Sequence, residues 1–371
     1  MNVLVITHHR LINRWSGAIS RICHLSKELA VQGAQVTVLA LISPRLKPLP
    51  QMKLRENCEY FESPNLLQWI DGFTSRLGFP AYSLASYLNS LLPLPNSIEK
   101  HFDAVISESH FLWTFAKRFK STVKVLSAHN YELAYHENFF RPLLAPLKRA
   151  EQRALEEADL VVAVSSKDQR EFEKIVPHKH ISIVENGFDI YCSDLKVNPA
   201  PDFSSTQKRT ALLLASHSIH NLKALKYLIP IFSAPSIAEK WCLWIVGDVN
   251  PNFTLPNNML RFGTRNDLTP FFQNAEIALN PMLSGSGSNV KLIECLGNGC
   301  PVLTTPIGAR GFFAGLSGLY VDSINNFQNR LLNTQTWQKP NPTELVSFQW
   351  HQLGLKYYNQ IDSILKIKSN T

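Results

Sequence analysis

The chain has 371 residues, which is too long for one ordinary core and suits two α/β domains of roughly 150 to 200 residues each. Hydrophobic residues make up 45% and charged residues 18%, a balance that excludes an intrinsically disordered chain. Lys and Arg exceed Asp and Glu by 37 to 29, so the net charge of +8 favours anionic partners. The sequence has neither a basic stripe with interleaved aromatic residues nor a recognisable nucleic-acid-binding module, so it does not indicate a nucleic-acid partner.

The six cysteines are scattered, with no Cys-x-x-Cys pair and no histidine grouping at zinc spacing. This pattern predicts reduced thiols and no metal site. Residues 1–7 form an apolar run without a preceding basic region, which is not a signal peptide. No apolar run reaches the roughly 20 residues of a membrane span. We therefore expect a cytoplasmic protein.

The first part of the chain predicts a strand, helix, strand unit of a parallel sheet. Residues 3–6 form an apolar strand, Ala18, Ile22, Leu25 and Leu29 recur at helical spacing, and residues 35–41 form a second strand. Gly33 stands where a helix C-terminal cap belongs. Further strands at 104–107, 123–127 and 160–164, and helices near 111–119 and 147–157, extend the same doubly wound pattern.

Between these elements, residues 43–98 contain seven prolines and a mainly apolar run at 66–94, which predicts an insertion with helices outside the sheet. After a polar linker at 199–208, the alternation starts again. Strands are expected at 211–215, 242–246, 277–280 and 302–304, with helices around 222–228, 268–273 and 290–296. The sequence therefore predicts two α/β domains, 1–189 and 190–345, followed by an amphipathic C-terminal helix within 346–371.

The segment from Ser284 to Glu294 carries the clearest sign of chemistry. It places a loop of small residues between a strand and a helix, where free backbone amides and the helix dipole bind anions. Lys291 and Glu294 lie three apart on one helical face, so they offer a cation for phosphate and a carboxylate for ribose hydroxyls. An ordinary flexible loop before a surface helix is the alternative. The spacing does not match a P-loop or a dinucleotide fingerprint.

At this point the sequence resembles the retaining glycosyltransferases of family 4, also called group 1, which have the GT-B fold. The resemblance extends over most of the chain and rests on ordered markers. These are Gly17-Ala18, residues 128–132 (AHNYE), 158–165 (ADLVVAVS), 184–189 (VENGFD), Asn221 with its helix, and 287–302 (GSNVKLIECLGNGCPV).

The resemblance implies two Rossmann-like parallel-sheet domains facing a cleft, with the C-terminal helix crossing back to the first domain. It implies that the nucleotide diphosphate sugar donor binds the second domain and the acceptor binds the first. It assigns Glu294 to the ribose, Lys291 to the diphosphate and His129 to the transferred sugar. The predicted donor-binding residues are Ser16, Gly17, Asn221, Gly285, Ser286, Gly287, Ser288, Asn289, Lys291 and Glu294.

Each of these assignments has a plainer alternative. His129 could be a structural histidine at a strand end, Ser16 could be a helix N-cap, and Asn186-Gly187 could be only a turn. The sequence also departs from the family in three places. Ser286 stands where a second glutamate is common, Ser216, His217 and Asn221 stand where a Gly-Arg pair and a lysine are common, and Ser16 replaces a glycine. Lys223 or Arg265 could replace the missing phosphate ligands.

The predicted catalyst is a positive potential at the departing diphosphate, which Lys291 and the helix N-terminus supply. No Asp-x-Asp motif occurs in the sequence, so we expect no metal and no cofactor besides the donor substrate. Retention of anomeric configuration is implied by the resemblance alone. Two alternatives stay open: a nucleotide-sugar 2-epimerase of the same architecture, and a non-catalytic subunit that supports a partner transferase.

The acceptor could be a glycan, a lipid-linked sugar or a small molecule. Four cations without an intervening acid, followed by the apolar run with Trp69, suggest peripheral contact of the first domain with an anionic membrane. The four are Arg45, Lys47, Lys53 and Arg55. A solvated loop over a packed insertion is the alternative.

Overall fold

The structure, a computed structural model, describes residues 1–12, 16–65, 98, 101–132, 144–190, 208–216, 218–249, 252–265, 267–284, 288–312 and 315–370. The chain divides into two compact units. The first unit consists of Met1–Glu185 and Trp350–Thr371, and the second consists of Asn186–Gln349.

The first unit is built on an eight-stranded sheet with the order β3-β4-β2-β1-β5-β6-β7-β8, in which only β3 and β4 pair antiparallel. Its central strands are almost fully buried apolar runs, as expected for a parallel sheet covered on both faces. The strands are β1 Asn2–Thr7, β2 Gln35–Ile42, β3 Met52–Arg55, β4 Cys58–Pro64, β5 His101–Ser107, β6 Lys120–Ser127, β7 Leu160–Ala163 and β8 Ile181–Ile183.

Four described helices connect these strands: α1 Gly17–Val31, α2 Trp113–Ala116 after a 3₁₀ turn at His110–Leu112, α3 Leu144–Glu157 and α4 Ser166–Ile175. Ser16 is the N-cap of helix α1, and its side chain accepts a hydrogen bond from the backbone N–H of Ile19. The helix ends before Gly33, which has φ +93°. A glycine adopts this left-handed backbone without a steric cost, so the chain turns directly into β2.

The second unit has six parallel strands in the order β11-β10-β9-β12-β13-β14. Their bounds are β9 Arg209–Leu214, β10 Trp241–Val246, β11 Met259–Gly263, β12 Ile277–Asn280, β13 Val302–Thr304 and β14 Leu319–Val321. The described helices are α5 Ile219–Ser233, α6 Pro235–Ala238, α7 Thr269–Asn274, α8 Val290–Gly297, α9 Phe327–Asn333 and α10 Pro342–Leu345.

The last helix, α11 Trp350–Ser369, belongs to the first unit and packs on α1. Its buried residues Trp350, Leu353, Tyr357 and Ile361 join the same apolar cluster as the inner face of α1. Gly354 lets the two helices approach closely, because a Cβ there would lie 2.2 Å from the Cβ of Glu28. The two parallel-sheet α/β units and the return of the C-terminal helix confirm the predicted fold class.

The prediction that residues 43–98 form a helical insertion is wrong for the part that the structure describes. Strands β3 and β4 extend the sheet there, turning at Asn57 with φ +59°. Prolines 44, 48, 50 and 64 flank or end these strands and do not interrupt their pairing. The predicted apolar run at 66–94 lies outside the described residues.

Two predicted helices also differ from the observed ones. The helix expected at 111–119 is reduced to a 3₁₀ turn and the single turn α2, and the C-terminal helix begins only at Trp350, after the separate short helix α10. The unit boundaries, after Glu185 and Gln349, fall near the predicted domain limits of 189 and 345.

Candidate functional site

In the second unit, polar side chains close the loop between β12 and α8. Asn280, the last residue of β12, donates to Thr304 Oγ1 at 3.0 Å and to the Gly308 carbonyl at 3.2 Å. It accepts from Asn289 Nδ2 at 2.9 Å, and Asn289 is the residue that precedes α8. The start of α8 is therefore held at the carboxyl ends of β12 and β13, the edge of an open parallel sheet where ligands bind.

Lys291 connects the first turn of α8 to the first turn of α5. Its ammonium donates to Asn221 Oδ1 at 3.3 Å, while Asn221 Nδ2 donates to the Ser216 carbonyl at 2.8 Å. Burial lowers the pKa of Lys291 to about 8, although the nearby Glu294 carboxylate opposes that shift. Because an ammonium with a depressed pKa gains from an anionic partner, Lys291 is suited to meet a phosphate.

A second contact between the same two regions involves a histidine that the sequence did not single out. His220 Nδ1 lies 2.7 Å from Ser284 Oγ, at the start of the predicted anion loop. Burial lowers the pKa of His220, and the cations Lys223 and Arg310 lower it further. Two cations, Lys223 on α5 and Arg310 after β13, therefore lie near His220 and Ser284.

Two further loops fix the N-terminus of α8. Asn186 Nδ2 donates to the Ser288 carbonyl at 3.2 Å and to its hydroxyl at 2.7 Å. Gly311, with φ +91°, approaches so closely that a Cβ there would lie 2.4 Å from the Cβ of Ser288. Asn186 therefore helps to hold the start of α8 in place, in addition to its predicted place in a turn.

The structure thus brings together five of the predicted donor residues, namely Asn221, Ser288, Asn289, Lys291 and Glu294. Glu294 is half-buried on α8, one turn after the helix start. Gly285, Ser286 and Gly287 lie outside the described residues. Arg265 is exposed after β11.

In the first unit, Ser16 and Gly17 form the exposed start of α1. His129, which follows β6, lines a cavity of about 220 Å³ at the carboxyl ends of the central strands. Its Nε2 lies 2.7 Å from Oε2 of Glu108, which follows the neighbouring strand β5 and is 2% exposed. His8 and His9, which follow β1, and His110 line the same cavity.

Burial and the neighbouring His9 imidazole lower the pKa of His8 well below its ordinary value. Burial, together with His129, lowers the pKa of His9 to about 4, although Glu108 opposes the shift. Both rings are therefore neutral near pH 7. Polar residues directly after apolar strands, in the runs Thr7-His8-His9 and Ser107-Glu108-Ser109-His110, were the available sequence signal for this cavity.

No three His, Cys, Asp or Glu side chains within the described ranges are placed so that they could hold a metal ion. In the same part of the chain, no helix is long and apolar enough to cross a membrane.

Two family models match the chain, Glycosyltransferase Family 4 over residues 15–191 and Glycosyl transferases group 1 over residues 208–334. Together they cover about four fifths of the sequence. A search of curated protein sequences gives no match.

Solved structures agree with the family models. HepE of Anabaena in complex with UDP-glucose is 15% identical over 100% of this chain and 98% of its own, with a TM-score of 0.57. WaaG, described as a glycosyltransferase involved in lipopolysaccharide biosynthesis, is 15% identical over 100% of both chains, with a TM-score of 0.57. The α,α-trehalose 6-phosphate synthase of Burkholderia multivorans is 11% identical over 98% of this chain and 94% of its own, with a TM-score of 0.60.

At these identities the structural likeness establishes the fold, which is that of the GT-B glycosyltransferases. The family models add the class of enzyme. The chain belongs to the glycosyltransferases of family 4 and group 1, with the first model on its first unit and the second model on its second unit.

Proposed function

We propose that this glycosyltransferase moves a sugar from a nucleotide diphosphate sugar to a glycan, lipid-linked or small-molecule acceptor. The observation that carries the proposal is the pairing of Lys291 with Asn221 at 3.3 Å, which joins the starts of α8 and α5. Two helix N-termini and a half-buried ammonium form a region of positive potential suited to a diphosphate. HepE, a protein of the same fold, holds UDP-glucose.

In the proposed reaction, the bond between the anomeric carbon and the phosphate oxygen breaks as the acceptor oxygen bonds to that carbon. The leaving diphosphate gains negative charge and takes the proton from the acceptor hydroxyl. Lys291 and the amides at the start of α8 stabilise this charge, and their contribution grows as the bond breaks. Arg310 and Lys223 add positive potential and take the place of the family's missing Gly-Arg pair, while His220, with its lowered pKa, is an uncharged hydrogen-bonding group.

Other residues bind the rest of the donor in this proposal. Glu294 accepts hydrogen bonds from the ribose hydroxyls, and Ser16 and Gly17 lie near the phosphates. His129 contacts the transferred sugar from its cavity of about 220 Å³, which is large enough for one sugar ring. Retention of configuration is part of the proposal because the family resemblance implies it.

The proposal includes no metal ion, because positive charge at the phosphates comes from side chains and helix termini. A screen of nucleotide sugars and acceptors with the purified protein, read by mass spectrometry, tests the activity. We expect a glycosylated product and a released nucleotide diphosphate, with unchanged yield in excess EDTA. Loss of donor binding in EDTA and its return with Mn²⁺ or Mg²⁺ would show that the metal-free assignment is wrong.

A further inference from the structure

The pair formed by Glu108 and His129 shows how the histidine is held. The two residues follow neighbouring parallel strands, β5 and β6, and His129 Nε2 lies 2.7 Å from Glu108 Oε2. The carboxylate is 2% exposed and the imidazole 15% exposed. The acid is thus the more shielded member of the pair, although both residues line the cavity.

This contact determines where the imidazole carries its hydrogen. An ionised carboxylate only accepts hydrogen bonds, so Nε2 of His129 must be the donor. In the neutral ring Nδ1 then has the lone pair. Without Glu108, the ring loses the hydrogen bond at Nε2 and with it the preference for the Nε2–H tautomer.

Charged and titratable groups from three other parts of the first unit lie around Glu108. Arg21 on α1 is 1% exposed and donates to the Glu185 carbonyl at 2.8 Å. Burial lowers the pKa of Arg21, while the charge of Glu108 acts in the opposite direction. Tyr357 on α11 also interacts with Glu108, and His8 and His9 from β1 are neutral near pH 7. Arg21 is thus a buried cation whose charge attracts that of Glu108.

We propose that Glu108 is a positioning residue that acts through His129, fixing its Nε2–H tautomer and its orientation toward the cavity. The proposal rests on the proposed function, in which His129 contacts the transferred sugar. It adds the residue that determines how this histidine is presented to the sugar.

Histidine ¹⁵N NMR of the full chain tests the tautomer directly and independently of activity. His129→Gln identifies the His129 signals by their loss. The expected result is an Nε2–H tautomer in the wild type and altered His129 nitrogen shifts in Glu108→Gln, with Glu108→Asp closer to the wild type. Glu157→Gln is the matched control, because Glu157 is also bonded, to Trp113 and Lys117, but does not line the cavity. An Nδ1–H tautomer in the wild type, or His129 shifts unaffected by Glu108→Gln, would overturn the proposal.

Kinetics of the same variants test the consequence for transfer. Glu108→Gln should lower kcat about tenfold or more with little change in donor KM, and should cause no further loss in a His129→Ala background. Independent, multiplicative losses would show that Glu108 does not act through His129. If no variant and no wild-type preparation transfers sugar, the proposed function fails, while the NMR result still decides the tautomer. Circular dichroism establishes whether each variant is folded. If Glu108→Gln does not fold, Glu108→Asp replaces it in these measurements.

Discussion

In the proposed function, Glu294 is the residue on which recognition of the donor nucleoside depends most directly. Glu294→Gln keeps the size of the side chain and removes its charge, so charge-assisted bonds to the ribose should weaken by about 1.5–3 kcal/mol. Donor affinity, measured by calorimetry, should fall tenfold or more. The same substitution at Glu239, which is exposed before β10, should leave the affinity unchanged. Wild-type affinity in a folded Glu294→Gln protein would place the nucleoside elsewhere.

The depressed pKa of Lys291 leads to a pH dependence with a defined sign. Because the pKa is about 8 and not the ordinary 10.5, the ammonium loses its proton as the pH rises through about 8. Donor affinity should therefore be highest below pH 8 and should decline toward pH 9.5. Lys291→Arg should abolish the decline, since a guanidinium stays charged throughout this range.

A titration of donor affinity against pH, by calorimetry or fluorescence, measures this effect. Lys240→Arg, at an exposed lysine that precedes β10, is the control and should keep the wild-type profile. A decline that persists unchanged in Lys291→Arg would show that another group titrates, either a different side chain or a group on the donor itself.

The interface between α1 and α11 depends on the absence of a side chain at Gly354. A leucine there would press on Glu28, whose Cβ lies 2.2 Å from the position of the new Cβ. Overpacking of this kind costs about 1–3 kcal/mol, and the better helix propensity of leucine offsets less than about 1 kcal/mol of it. Thermal unfolding should show a lower Tm for Gly354→Leu. Gly315→Ala is the control, because nothing lies within 4 Å of a Cβ there.

The elements that the sequence predicted well are those whose apolar residues follow one period without interruption. The buried runs of β1, β9, β10 and β12 and the amphipathic face of α1 belong to this group. Strands β3 and β4 were missed because they stand between prolines and bury little: β3 alternates exposed with half-buried residues, and β4 buries only Cys58 and Tyr60. Edge strands bury little, so their sequences carry a weak signal.

The residues of the candidate site could be predicted only where they lie close together in the sequence. Ser288, Asn289, Lys291 and Glu294 lie in one short stretch, and the helix period places them together. Glu108 and His129 are 21 positions apart, and only the pairing of β5 with β6 makes them neighbours. His220 on α5 and Arg310 after β13 likewise reach the region proposed for the donor from separate parts of the chain, so a linear pattern does not connect them.

The basic surface of the first unit predicts a salt-sensitive attraction to anionic lipid. Arg45, Lys47, Lys53 and Arg55 are all exposed, two of them on the edge strand β3. Sedimentation with vesicles containing phosphatidylserine should recover the protein at low salt, less at high salt, and little with neutral vesicles. Substitution of Lys53 and Arg55 by glutamate should reduce recovery.

The charge-matched control replaces Lys167 and Arg170, two exposed cations on α4, by glutamate. If vesicle binding depends only on net charge, both double variants will lose it equally, and a specific basic surface on β3 is then excluded. Equal recovery of the wild type with neutral and anionic vesicles would also exclude it.

The return of α11 to the first unit has a consequence for synthesis of the chain. Trp350, Leu353, Tyr357 and Ile361 bury the face of α1 that lies near the start of the chain, yet the ribosome delivers them only after all of Asn186–Gln349. The second unit is continuous and can finish folding while the first still exposes its apolar helix face. The apolar face of α1 therefore stays uncovered by α11 until the last part of the chain has been synthesised.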